Sequence, residues 1–148
     1  MSREKKFARI LAIADMLSKH TYEKGRQTVE HRYRTLYSRK PAKFLKVIHE
    51  ELMEYSKQWS DKDWLLYEVL ADEIANLNTE DITNEELDYL FHLYLSKAKV
   101  EMWNIVGVDQ AAEILGLSPG TVKNKCAKGD IPAKKVGKTW VIDKRVLK

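Results

Sequence analysis

The residues best suited to do chemistry lie near the end of the chain, in "SPGTVKNKCAKGD", Ser118 to Asp130. Ser118 can cap a helix with its hydroxyl, and Pro119 suits the first helical position, where a missing N–H costs nothing. Along the helix that follows, Val122 and Cys126 stand four apart and predict an inward face. Gly120, Thr121, Lys123, Asn124, Lys125 and Lys128 are left outside. Those types suit duplex DNA. Asn can bond adenine through two hydrogen bonds, Lys can reach guanine or phosphate, and Thr offers a methyl or hydroxyl to a base edge or a phosphate.

Such side chains need elements to aim them. Ala111, Ala112, Ile114 and Leu115 predict a short preceding helix with one apolar face, ended by Gly116, with Leu117 turned back to the core. Two helices joined by so few residues cross steeply, the arrangement that lets the second enter a major groove. Downstream, "DIPAKKVGKTWVI" predicts two short strands about a Gly137-Lys138 turn. Val136, Trp140 and Ile142 are expected inward and Lys134, Lys135 and Lys138 outward, making a basic wing for neighbouring phosphates. Trp140 and Cys126 read as core residues rather than as a base-stacking ring and a redox thiol.

From about Ile105 to Leu147 the chain resembles the excisionase-type, MerR-like winged helix-turn-helix family, through "AAEILGLS", "TV" and then "GDIPAKKVGKTWVI". The resemblance implies sequence-specific binding of duplex DNA by Thr121, Asn124 and Lys125, supported by the wing lysines. Two positions depart from the family pattern. Gly107 stands where Ser or Thr usually caps the first helix, at a cost of a few tenths of a kcal/mol. Gly120 loosens the start of the second helix by roughly 1 kcal/mol relative to Ala.

The first hundred residues read as helices with short joints. Phe7, Ile10, Leu11, Ala14 and Leu17 predict a helix over about Ser2 to Lys19 with one apolar face. A shorter helix is expected in "TVEHRYRTLYSRK", and another from Pro41 to about Lys57 with Phe44, Leu45, Ile48, Leu52 and Tyr55 inward. Ser60 or Asp61 can cap the next, with Trp64, Leu65, Tyr67, Leu70, Ile74 and Leu77 as its buried side. Thr83 and Glu86 have capping-box spacing ahead of Leu87, Leu90, Phe91, Tyr94 and Leu95. "VEMWNIVGVD" lacks a Pro-, Gly- or Ser-rich tether and predicts packed parts or a continuing helix. The expected fold is mainly α: a bundle of four or five helices over residues 1–103, then a small winged helix-turn-helix with a two-stranded wing over residues 104–148.

The net charge of +4 conceals a pattern. Met1 to His49 holds 13 basic and 4 acidic residues, Glu50 to Trp103 holds 4 and 14, and Asn104 to Lys148 holds 9 and 4. The first two blocks can neutralise one another inside one domain, or a basic block can face a polyanion. Arg32, Arg34, Arg39, Lys40 and Lys43 in the first block are candidates for a secondary nucleic-acid surface. The run "VEHRYR" and the Pro-containing helix after it also resemble a helical segment of the large subunit of type I-C CRISPR surveillance complexes. That implies an alternative: a mobile-element inhibitor of a host defence complex whose winged end controls its own gene.

Enzyme readings fare worse on the residues. "GKT" at Gly137 to Thr139 would need a glycine at 132 to end a phosphate-binding loop, and Pro132 stands there. "EELME", Glu50 to Glu54, and "EVLAD", Glu68 to Asp72, resemble the paired acidic motifs of all-helical, Mg²⁺-dependent nucleoside triphosphate pyrophosphohydrolases. Val69 occupies one ligand position, so the set is incomplete. A single cysteine excludes an internal disulfide, and no histidine pair has metal-ligand spacing. No run of apolar residues is long enough to span a bilayer, and no sustained apolar stretch follows the basic start. The sequence therefore predicts a cytoplasmic, non-enzymatic DNA-binding protein, a transcription regulator or recombination accessory factor. It needs no cofactor or metal, binds as a homodimer on two half-sites, and offers residues 1–103 for pairing or a protein partner.

Overall fold

The computed structural model describes residues 2–22 and 24–147. The chain forms two compact units, Met1–Lys99 and Val100–Lys148. The first is all helical: α1 (Arg3–Thr21), α2 (Val29–Arg32), α3 (Arg34–Arg39), α4 (Pro41–Met53), α5 (Asp61–Ala75) and the start of α6 (Leu90–Trp103), with 3-10 turns at Ser56–Gln58 and Thr79–Asp81. The second holds the end of α6, then β1 (Ile105–Val106), α7 (Val108–Leu115), α8 (Pro119–Lys128), β2 (Ala133–Val136), β3 (Thr139–Asp143) and a 3-10 turn, Lys144–Val146.

Helix α1 is the axis of the first unit, packed against α5, α2 and α4. The expected single apolar face is too narrow: Ala8, Ala12, Ile13, Asp15 and Ser18 are buried along with Phe7, Ile10, Leu11 and Leu17. Two of its buried polar side chains, Asp15 and Ser18, have a structural task. Asp15 accepts a hydrogen bond from the Glu30 amide at 2.9 Å, and Ser18 Oγ accepts one from the Val29 amide at 3.1 Å. They satisfy the free amides of α2, whose own N-cap Thr28 makes no such bond.

Three readings of the first unit change. The basic-aromatic run forms two helices, α2 and α3, broken at Tyr33. In α5, Ser60 and Asp63 form a capping box, but the buried side is Leu65, Leu66, Val69, Leu70 and Glu73. Trp64 is exposed, and Tyr67, Ile74 and Leu77 are half-buried. The expected stripe mixed two faces, and the tertiary packing chose the one that meets α1. The third change concerns Thr83 and Glu86, which cap nothing, since α6 begins only at Leu90. The segment before it lies as a strap whose carbonyl oxygens, from Asp81, Thr83, Glu85 and Glu86, accept hydrogen bonds from the Arg3 guanidinium. Lys6 adds an ion pair to Asp81 at 2.7 Å. A guanidinium that satisfies several carbonyls holds the backbone out of a helix more firmly than one local cap can hold it in.

The charge blocks do meet inside the first unit. Arg9 pairs with Glu73 at 2.7 Å, Arg26 and Arg32 pair with Glu51, and His20 Nδ1 lies 3.0 Å from Asp63. Glu51 also accepts from the Tyr22 hydroxyl. Burial and that donation to a carboxylate push the Tyr22 phenol well above the ordinary tyrosine range.

In the second unit the three strands form one antiparallel sheet in the order β1-β3-β2. The wing is the expected hairpin, but Ile105 and Val106 add a third strand, pairing with Asp143 and Ile142. Val106, Val108, Ala111, Ala112, Val122, Cys126, Ile131, Ile142 and Leu147 make the core. Ile114 and Leu117, read as inward, are 47% and 38% exposed. Ile114 falls off the helical stripe of Val108, Ala111 and Ala112, and for Leu117 Gly116 sets the difference: its left-handed φ of 69° ends α7 and turns the chain away from the α7 core face.

Candidate nucleic-acid interface

Helix α8 is built as its sequence dictates. Ser118 Oγ accepts a hydrogen bond from the Thr121 amide at 3.2 Å, Pro119 takes the first position, and Gly129 ends the helix with φ 84°. Val122 and Cys126 are buried and anchor the helix. Burial raises the Cys126 thiol pKa, which keeps it protonated and suits a packing role. On the other side Gly120, Thr121, Lys123, Asn124 and Lys128 are exposed, with Lys125 half-buried. The structure therefore brings all six of these residues onto one element with free access to solvent for most. The Thr121 hydroxyl lies 2.8 Å from Ser118 Oγ, so its methyl is the more available group.

The wing turn joins Val136 and Thr139 through Gly137 and Lys138. Gly137 has φ 58°, and no other residue type here has a positive φ, so the turn is of the II′ kind, whose twist matches the flanking strands. Lys134, Lys135 and Lys138 are exposed as expected. The register corrects one detail. Val136 is buried as expected, but Lys135 pairs with Trp140 and Ala133 with Ile142, whereas Val136 pairs with Thr139, so Val136 is buried on the face opposite Trp140 and Ile142. The Lys135 ammonium lies 5.6 Å from the Trp140 ring centroid, which fixes one wing cation over a half-buried aromatic. Arg145 is held by Asp143 at 2.5 Å, and that hydrogen bond draws the Asp143 carboxyl below its usual pKa. The Lys144 ammonium sits 5.9 Å from the Trp103 ring.

The candidate secondary surface divides. Arg32 is ion-paired with Glu51 at 2.8 Å, and Arg34 Nη2 lies 3.5 Å from His31 Nδ1. Arg39, Lys40 and Lys43 are exposed, and Lys46, one turn further along α4, is exposed beside them. Lys46 was missed by the sequence reading, although the three-residue step from Lys40 to Lys43 to Lys46 was there to be seen. The acidic middle does not converge: Glu51 is committed to Arg26, Arg32 and Tyr22, and the Asn76 amide lies 3.4 Å from Asp72. Among the described residues no three His, Cys, Asp or Glu side chains are grouped to hold a metal ion. Nor is any helix among them long and apolar enough to cross a membrane.

Residues 105–148 match the family model described as a helix-turn-helix domain. The match covers the β1-to-wing unit and leaves the helical unit unassigned. It supports a DNA-binding role for the carboxy-terminal unit. No curated protein and no solved structure matches the chain.

Proposed function

We propose that the chain is a sequence-specific duplex DNA-binding protein of the excisionase-type, MerR-like kind, acting as a transcription regulator or as an accessory factor in site-specific recombination. The observation that carries this is the division of α8: Val122 and Cys126 lie in the core while Thr121, Lys123 and Asn124 stand exposed on a helix with a side-chain cap at its start. Asn124 is assigned to a base edge, Lys123, Lys125 and Lys128 to guanine or phosphate, and Lys134, Lys135 and Lys138 to phosphates beside the groove. One ten-residue helix reaches only a few base pairs, so two copies on two half-sites complete the recognition. The helical unit supports pairing through Tyr89 and Leu93, one turn apart and 80% and 60% exposed.

Selection of bound duplexes from a random pool, run with the full chain at two salt concentrations, tests the reading. An enriched inverted repeat with half-sites about one helical turn apart is expected. Asn124→Ala should then cost ~1–3 kcal/mol and relax discrimination at one base pair per half-site. A pool that stays random, with affinity indifferent to Asn124→Ala, removes groove reading from this protein.

A further inference from the structure

Most half-buried cations of the first unit meet a carboxylate, and among its exposed cations one group forms a continuous row. Arg3, Lys6, Arg9, Arg26, Arg32 and Lys99 each meet a carboxylate. Arg39, Lys40, Lys43 and Lys46 are exposed and enter no ion pair among the described residues. They follow one another from the end of α3 along the first two turns of α4. Glu50, one turn beyond Lys46, ends the row.

This placement works against the stability of the free protein. The start of a helix carries a partial positive charge, and a cation there costs a few tenths of a kcal/mol or more where a carboxylate would help. Helix α4 has no acidic residue in its first turn, and its flanking residue Lys40 and its third residue Lys43 are both cations. Like charges three residues apart add a further penalty. An incoming polyanion removes both.

The surroundings of the row say which polyanion it fits. Protein interfaces centre on exposed aromatic and aliphatic side chains. The first unit has such residues at Met53, Trp64, Ile82, Tyr89 and Leu93, and among the described residues none falls between Lys24 and Leu52. The exposed residues just before the row along the chain are Arg34, Thr35 and Ser38, groups of the kind that bond phosphate oxygens, and the strap meets the row at Asn84, whose Oδ1 accepts a hydrogen bond from the Lys43 amide at 3.3 Å. From Lys40 to Lys46 the helix rises ~9 Å, which spans two to three phosphate steps of one DNA strand at about 3.4 Å per step.

We propose that Arg39, Lys40, Lys43 and Lys46 form a second DNA contact surface, which takes the phosphate backbone of duplex DNA without reading its sequence. It is separate from the α8 reading and does not depend on it. Its consequence is that the helical unit contributes affinity and salt dependence, while α8 contributes discrimination.

The test measures binding of the full chain to one fixed duplex, by fluorescence anisotropy, over a series of salt concentrations. Lys40→Gln/Lys43→Gln/Lys46→Gln removes three cations at exposed positions, and unchanged circular dichroism confirms the fold. With ~0.9 counterions released per phosphate contact, the slope of log affinity against log salt should flatten by about 2.7. Between 50 and 200 mM salt the unaltered chain should then lose ~40-fold more affinity than the variant. A control with the same change in net charge, Lys24→Gln/Lys57→Gln/Lys97→Gln, should leave the slope nearly intact, and Lys40→Arg/Lys43→Arg/Lys46→Arg should keep it. The proposal is overturned if the two Gln variants flatten the slope equally, or if the row variant leaves it unchanged, as a row that serves an acidic protein would. Asn124→Ala, run alongside, separates the two readings, since it should lose discrimination and keep the slope.

Discussion

Replacing Gly120 by alanine should move stability and DNA affinity in opposite directions. Gly120 is the second residue of α8, its φ lies outside the left-handed region, and a Cβ built on it meets no atom within 4 Å. Nothing in the folded chain therefore requires glycine there. Alanine restricts the unfolded backbone and favours the helix, so Gly120→Ala should stabilise the free protein by ~0.5 kcal/mol, the lower end for such changes, and raise Tm by about 1–2 °C. In the proposed complex the same methyl would stand at the exposed start of the reading helix, beside Thr121, on the side assigned to the groove. A displacement of the helix by that methyl should weaken binding by ~1 kcal/mol, roughly fivefold. Thermal melts of the free protein and anisotropy titrations on a selected duplex read the two effects separately. A gain in stability with unchanged affinity would show that the start of α8 does not face DNA. A loss of stability would refute the argument that the backbone at 120 is ordinary helix.

Lys138→Ala, at the wing turn, should weaken all duplexes alike and flatten the salt slope by about one unit, measured by the same titrations. Asp81 is held below the usual carboxylate range, first by the hydrogen bond from Lys6 and then by the Asn78 amide. Its folded pKa is depressed, so its contribution is complete above the unfolded value of about 3.9 and is lost as pH falls through the lower folded value. Asp81→Asn should therefore lower the urea midpoint at pH 7, by an amount corresponding to ~1 kcal/mol or less, and the difference from the unaltered chain should shrink below pH ~4; an equal difference at pH 7 and pH 3 would contradict the coupling. Arg3→Met removes the donor that holds the strap, and should cost ~1–3 kcal/mol while raising hydrogen exchange most at the amides of residues 82–88.

The carboxy-terminal unit was legible because its signals are local. Gly116, Ser118, Pro119 and the Gly137-Lys138 turn each act on the few residues around them, and all four behave as the sequence predicts. Its third strand was not legible, since two residues, Ile105 and Val106, carry no period and become a strand only by pairing with β3. The helical unit shows the same division. Ser60 caps α5 with a partner three residues away, as expected. Thr83 and Glu86 have the same spacing and fail, because the competing donor, Arg3, lies at the other end of the unit and no local rule contains it. Arg32 was offered as a phosphate ligand on composition alone, and only the fold reveals Glu51 beside it.

The strap has a bearing on how the protein is made. Arg3 and the Asp81 carbonyl are 78 residues apart along the chain. On a ribosome α1 is made before both α5 and the segment that Arg3 holds, so it waits for partners that lie tens of residues further along the chain. Phe7, Ile10 and Leu11 meanwhile lack part of their cover, and closing so large a loop is slow compared with joining neighbours. The Val100–Lys148 unit is synthesised after the first unit and draws its core cluster from its own short sequence, so its completion has no such delay built in.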